Sequence, residues 1–185
     1  MKKIAILASG SGSNAEEIIK YFQHSKKGKV ILIGSNKKDA YVLERAKKFN
    51  VPSFTFNKTE MEAGNLSRKL LEEGVDFVVL AGFLLKIPDD LIHAFSNRII
   101  NIHPALLPKY GGKGMYGMKV HEAVKTSGDK ESGITIHLVN EQYDEGKIIF
   151  QAAVQIEPSD SPEDIAQKVH QLEYKYFPNV IESLL

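Results

Sequence analysis

The sequence predicts an α/β protein built as a Rossmann-like open, mostly parallel twisted sheet with helices on both faces and an antiparallel extension in the C-terminal half. Three observations predict it. The runs Ile4–Ala8, Val30–Ile33 and Phe77–Ala81 are apolar nearly throughout, as strands covered on both faces are. Amphipathic stretches of helical length separate them, with short connections, which is the pattern of right-handed βαβ winding. Past residue 110 the chain turns glycine-rich and then alternating, which suits antiparallel pairing.

In order, KIAILAS is the first strand, and a helix follows from about Asn14. KVILIGS is the second strand, with a helix near Ala40 to Phe49, and VPSFTF is the third. A helix near Gly64 to Glu73 leads into DFVVLAGF, the fourth. The stretch RIINIHPALLPKYGG begins as a strand and stops against two prolines. GITIHLVN and KIIFQAAVQI are two late strands around the turn EQYDEG. The final segment opens with Ser161-Pro162-Glu163-Asp164, where Ser161 can cap a helix and Pro162 fits its first turn. Ile165, Val169, Leu172 and Tyr176 share one face of that helix, and Pro178 is expected to bend or break it.

Bulk properties narrow the function classes. A chain of 185 residues suits a single core. With 24 basic and 23 acidic residues, a net charge of +1 gives no global field for nucleic acid or an anionic membrane. No apolar run approaches the ~18 residues of a membrane span. The basic start MKK precedes only the short run Ile4–Ala8 and then a glycine loop, so it reads as a first strand of a cytoplasmic protein. The absence of cysteine removes disulfides, thiolate metal sites and thiol nucleophiles. Any catalysis must therefore run on His, Asp, Glu, Lys, Ser or backbone groups.

In such a sheet ligands lie beyond the C-terminal strand ends, here the loops after Ala8, Gly34, Ala81 and Ile102. In ASGSGSNAEEII, Gly10, Gly12, Ser13 and Asn14 stand between strand and helix, where free N–H groups and the helix dipole can hold a phosphate. A plain glycine-rich connection is the competing reading. A dinucleotide would want an acidic residue after the second strand, but Ser35 and Asn36 stand there. A Walker lysine and a nucleophile elbow are both missing. What is left is a monophosphate cradle of backbone amides with Ser13 and Asn14, implying a small phosphorylated substrate.

In Asn101-Ile102-His103-Pro104, the extended chain points Asn101 and His103 to one side and Ile102 into the core, and Pro104 favours that conformation. An amide N–H can stabilise an oxyanion and an imidazole can move a proton, the two needs of formyl or acyl transfer. The alternative is an Asn in a turn beside a satisfied buried histidine. No metal site is expected, because the other histidines show no ligand spacing with His103. A histidine so used wants a carboxylate to fix its tautomer and raise its pKa. Asp144 is the candidate, with Glu141 and Glu145 competing and a simple turn role as the alternative.

Together LASGSGSN, VVLAGFLLKI, NIHPALLPKY, the Gly133–Val139 run G-x-T-x-H-x-V, YDEGKIIFQ and the Glu173–Pro178 run E-x-x-x-x-P resemble the glycinamide ribonucleotide formyltransferase family, folate-dependent enzymes of purine synthesis. The resemblance covers nearly the whole chain. It implies a single domain over 1–185, with a phosphate-binding half (1–100) and a catalytic and folate-binding half (101–185). It implies Asn101, His103 and Asp144 as the catalytic set, with a protonated His103 helping Asn101 hold the oxyanion. Gly12, Ser13 and Asn14 would hold the substrate phosphate, and His170, Gln171, Leu172 and Glu173 would contact the rest of glycinamide ribonucleotide. The co-substrate 10-formyltetrahydrofolate would lie on Leu84, Leu85, Lys86 and Ile87, near Asn101, and on Asn140, Glu141, Gln142 and Tyr143. A cis Leu107–Pro108 bond is implied, as are small-molecule partners only, no nucleic acid or membrane, and a monomer or homodimer.

Two departures accompany the resemblance. The arginine some relatives place near the folate tail has no clear match, Arg68 being the nearest, and the loop YGGKGMYGMK is long, with Lys113 a possible phosphate contact. Other folate-linked formyltransferases and hydrolases share Asn-x-His and a later Asp, but they carry extra domains for which 185 near-neutral residues leave no room. A non-catalytic nucleotide-binding module explains the glycine loop and leaves Asn101, His103 and Asp144 without a role.

Overall fold

The chain, described over residues 1–185 in a computed structural model, runs β1 (Lys2–Leu7), α1 (Ser13–Phe22), β2 (Gly28–Ser35), α2 (Val42–Lys48), β3 (Ser53–Thr55), α3 (Lys58–Glu62), α4 (Asn65–Glu72), β4 (Phe77–Leu80), α5 (Asp89–Ala94), β5 (Ile99–His103), α6 (Met118–Ser127), β6 (Glu131–Leu138), β7 (Ile148–Gln155) and α7 (Pro162–Ser183). The strands form one sheet in the order β3-β2-β1-β4-β5-β6-β7. The first five in that order are parallel, whereas β6 runs antiparallel to β5 and β7 to β6. This is the expected class, a parallel sheet extended by an antiparallel edge.

Strand periodicity divides the core between the two faces. On β1, Ile4 and Ile6 pack with Ile18 and Phe22 of α1 and with Val169, Phe177 and Ile181 of α7. The alternate residues Ala5 and Leu7 pack with Leu66 and Leu70 of α4 and Leu91 of α5. Both sets are buried, which is why the strand is apolar throughout rather than alternating. At β1 the winding reverses, with β2 on one side and β4 on the other. A crevice opens at that switch point beyond the C-terminal ends of β1 and β4.

Several elements differ from the sequence reading. VPSFTF contributes only Ser53–Thr55, because this edge strand pairs with β2 alone. Three helices were not anticipated: α3, α5 and α6. The first carries a capping box, Asn57 with Glu60, whereas α6 starts after Gly117 with no side-chain cap and so gives no start signal. The break expected at Pro178 is absent, and α7 is continuous with Pro178 inside it. Burial of Phe177, Pro178 and Ile181 against the core outweighs the one ladder hydrogen bond that proline removes. The buried stripe of α7 is Ile165, Ala166, Val169, Glu173, Phe177 and Ile181, with Leu172 and Tyr176 half-buried at its flank.

Candidate active site

The strand ends enclose a cleft of about 670 Å³ lined by Gly10–Asn14 after β1, Leu80–Ile87 after β4, Asn101–Pro104 at the end of β5, residues 112–118, and parts of the β6–β7 connection and α7. Both halves of the chain contribute walls.

At one end stands the N-terminus of α1. Gly12 adopts φ 71° and precedes the helix with no side-chain cap, so the first-turn amides at Ser13 and Asn14 are left without intrahelical partners. A Cβ on Gly12 would overlap the Val42 side chain, so glycine is required for packing as well as for backbone shape. Helix α2 holds the loop from behind: Val42 N–H donates to Gly10 O at 3.1 Å and Arg45 Nε to Ser11 O at 2.8 Å. The hydrogen bond from Lys20 and the charge and bond from Arg45 outweigh burial and hold the Glu16 carboxyl down at about 2. Asn14 donates its side-chain amide to Glu173 Oε2 at 2.8 Å, and His170 Nδ1 meets the same oxygen at 2.9 Å. That bond to Glu173 raises the His170 pKa against burial. Ser9 joins three strand ends, donating to Asn36 Oδ1 at 2.5 Å and accepting from Leu84 N–H at 3.0 Å. The residue standing where a dinucleotide site wants an acid is thus engaged in fixing the loop.

At the other end β5 presents Asn101, half-buried, and His103, 4% exposed, while Ile102 points into the core. Asn101 pairs in register with His137 on β6, and its Nδ2 lies 3.1 Å from His137 Nε2. His137 Nδ1–H donates to Leu138 O at 2.9 Å, so Nε2 accepts one amide proton of Asn101 and leaves the other free. His103 Nε2–H donates to Tyr110 O at 2.7 Å, and its Nδ1 stands 3.6 Å from Asp144 Oδ2. Asp144 lies between the two histidines, with Oδ1 3.5 Å from His137 Nε2, and its Oδ2 accepts from Gly112 N–H at 2.9 Å. Its backbone is left-handed at φ 56°, a conformation aspartate tolerates better than most residues.

Asp144 does raise the His103 pKa, as expected, but the net shift is downward, which departs from the protonated ring the resemblance implies. Burial pushes the pKa below the ordinary imidazole value, and this exceeds the support from Asp144 and the Tyr110 carbonyl. The resting imidazole is therefore neutral near pH 7. Burial also opposes ionisation of Asp144, but the polar groups around it, first the His137 side chain and then His103 and the Gly112 N–H, hold its carboxyl below its usual range.

The segment after His103 is held by β6 and β7. Thr135 Oγ1 donates to Ala105 O at 2.7 Å and accepts from Leu107 N–H at 3.0 Å. Gln151 Nε2 donates to Leu107 O at 3.0 Å, and the Leu107–Pro108 bond is cis, as the resemblance implied. Gly133 has no room for a Cβ beside the Ala152 carbonyl, nor Gly146 beside that of Leu138. The Gly133–Val139 motif thus builds the floor under the Asn-x-His segment.

All of Leu84, Leu85, Lys86 and Ile87 line the cleft, as do Asn140, Gln142 and Tyr143 on the facing rim. Glu141 and Glu145 are exposed and lie off the cleft wall, so of the three competing acids only Asp144 reaches His103. His170 and Glu173 line the cleft, whereas Gln171 is exposed on α7 and Leu172 packs against the core. Lys113 stands on the rim, and Arg68 turns to Asn65 of its own helix. Sequence reasoning missed His137, whose role shows only once β6 pairs with β5. It also missed His121 of α6, 3% exposed on the cleft wall, with Nδ1 unpartnered. Burial lowers the His121 pKa to about 4.

The formyl transferase family model matches residues 2–181. The chain is 45% identical to phosphoribosylglycinamide formyltransferase, chloroplastic, of Arabidopsis thaliana over 99% of its own length and 65% of that protein's. It is 40% identical to phosphoribosylglycinamide formyltransferase of Bacillus subtilis, covering 100% of itself and 95% of that protein. Thus it spans just under two thirds of the plant relatives and nearly all of the bacterial one. The crystal structure of glycinamide ribonucleotide transformylase 1 from Geobacillus kaustophilus superposes with a TM-score of 0.91 at 33% identity, covering 100% of this chain and 99% of that one.

Proposed function

The chain belongs to the formyl transferase family, and on that premise we propose that it transfers the formyl group of 10-formyltetrahydrofolate to the amine of glycinamide ribonucleotide, a step of purine synthesis in the cytoplasm. The observation that carries this reading is one cleft with an uncapped helix N-terminus at one end and the Asn101, His103 and Asp144 side chains converging at the other. Such a helix end suits a phosphate dianion. Glu173, within reach of Asn14 and His170, stands between the two ends and suits ribose hydroxyls. The apolar side chains Leu84, Leu85 and Ile87, facing Tyr143, form a slot for a flat heterocycle, which is why Leu84 and Tyr143 stay 39% and 40% exposed.

The amine nitrogen attacks the formyl carbon, and the carbonyl oxygen takes up negative charge. The Asn101 amide proton not engaged by His137 is free to donate to that oxygen. The nitrogen becomes acidic once bonded, and its proton passes to the His103–Asp144 pair. His103 is neutral at rest, and the ionised Asp144 stabilises the imidazolium that forms. The same proton is then delivered to the leaving folate nitrogen as its bond to the formyl carbon breaks, giving the formamide and tetrahydrofolate.

The test is the absorbance change as purified protein deformylates a 10-formyl folate with and without glycinamide ribonucleotide. Deformylation only with the acceptor is expected. Deformylation without it, or none in either case, overturns the reading.

A further inference from the structure

Two residues of one short stretch, Tyr110 and Gly112, serve the two members of the His103–Asp144 pair with backbone atoms. Tyr110 O accepts from His103 Nε2–H at 2.7 Å, and Gly112 N–H donates to Asp144 Oδ2 at 2.9 Å. No side-chain replacement deletes these groups, so their placement depends on what holds the stretch. Local preference does not hold it: Tyr110 has φ 57°, an unfavourable conformation for a residue bearing a ring.

What holds it lies away from the cleft. The Tyr110 hydroxyl is 2.7 Å from Asp129 Oδ2 and 2.6 Å from Ser127 Oγ, where α6 ends at Gly128. Ser127 gives its own proton to Val124 O at 2.7 Å, so the phenol has its stronger acceptor in the carboxylate. Lys109 Nζ, 3.1 Å from the same oxygen, keeps that carboxylate in place. Tyr110, Ser127 and Asp129 line no part of the cleft.

We propose that Tyr110, through the bond of its hydroxyl to Asp129, is a positioning residue for catalysis: it sets the Tyr110 carbonyl that fixes the His103 tautomer and the Gly112 amide that orients Asp144. Nε2 of His103 then carries the proton and Nδ1 stays bare toward Asp144. The titratable groups acting on or beside His103 are Asp144, His137, His121 and Glu173, and none belongs to the anchor. The anchor therefore works through geometry. Its kinetic consequence rests on the formyl-transfer reading, and its spectroscopic consequence does not.

The experiment compares wild type, Tyr110→Phe, Asp129→Ala and Asp129→Asn as full chains labelled with ¹⁵N-histidine. Wild-type His103 is expected to show one protonated and one bare ring nitrogen. Tyr110→Phe and Asp129→Ala should mix the tautomers and lower kcat about tenfold, with KM for both substrates held within about twofold. Loss of the Tyr110 carbonyl bond also lowers the His103 pKa, so the acid limb of kcat/KM moves to lower pH. Asp129→Asn keeps an acceptor and should restore both readouts. Wild-type kcat with unchanged His103 signals in Tyr110→Phe overturns the proposal, as does lost turnover with unchanged signals. Should Tyr110→Phe not fold, the two Asp129 variants decide the matter by the same criteria. If wild type itself transfers no formyl group, the functional reading fails and the nitrogen spectra alone still decide the anchor.

Discussion

Beyond β1 the cleft is walled by main chain, and beyond β5 by side chains. The first end offers amides at Ser13 and Asn14, shaped by Gly12 and braced by α2. The second offers an amide, two imidazoles and a carboxylate, each aimed by a partner on another strand or loop. On the proposed reading, a dianion that only has to be held would be met by groups present in every residue. A reaction that moves a proton needs groups with particular acidity, and these come only from side chains. The two ends should therefore answer mutation in opposite ways.

The largest effects should fall at the side-chain end. Asn101→Asp places a charge where oxyanion density develops, and His103→Ala removes the proton acceptor. Each should cost ~10²-fold or more in kcat while thermal melting stays near wild type. Near-normal turnover in either variant breaks the contrast. Asp144→Asn keeps the shape and tolerates φ 56°, so a smaller loss of roughly ten- to a hundredfold is expected. The carboxylate supports the His103 proton, so its removal should also move the acid limb of kcat/KM to lower pH.

At the main-chain end the order reverses. Ser13→Ala leaves the amides and should raise KM for the ribonucleotide by no more than about tenfold, the worth of one hydrogen bond, with kcat unchanged. Gly12→Ala must enter the left-handed region and displace Val42. It should destabilise the fold by about 1–3 kcal/mol and weaken acceptor binding more than Ser13→Ala does. Denaturant titrations beside KM measurements check both.

The smallest effect separates the ends by pH. His121 on the cleft wall has its pKa lowered to about 4 from 6.5, and Glu16 behind the glycine loop to about 2 from 4.5. In each case the unfolded chain takes up the proton first, so stability falls as the pH falls through the window between the two values. Folding free energy should drop between about pH 6.5 and 4 on account of His121, and between about 4.5 and 2 on account of Glu16. His121→Gln should lessen the fall in the upper window and leave the lower one unchanged, and Glu16→Gln should do the reverse.

The parallel half was legible because burial on both faces leaves uninterrupted apolar runs such as Ile4–Ala8. Asn101 and His103 were legible because extended chain puts i and i+2 on one side, whereas Asp144 competed with Glu141 and Glu145 in the late turn until the resemblance singled it out. His137 was not, since only the antiparallel register sets it opposite Asn101. Tyr110 looks like an ordinary loop residue until its left-handed backbone turns its carbonyl to His103. The neutral state of His103 also escaped, because a sequence names the nearby carboxylate but not the depth at which the ring is buried. Pro178 misled because a rule about one hydrogen bond was set against the packing of a whole helix turn.

The pairing of β5 with β6 also makes the site a joint product of distant stretches of chain. Asn101, His103 and the glycine loop belong to the parallel half, but His137 and Asp144 are supplied by β6 and its connection to β7. Neither half holds the full set of side chains, so turnover reports that both are folded and joined, which helix content alone does not.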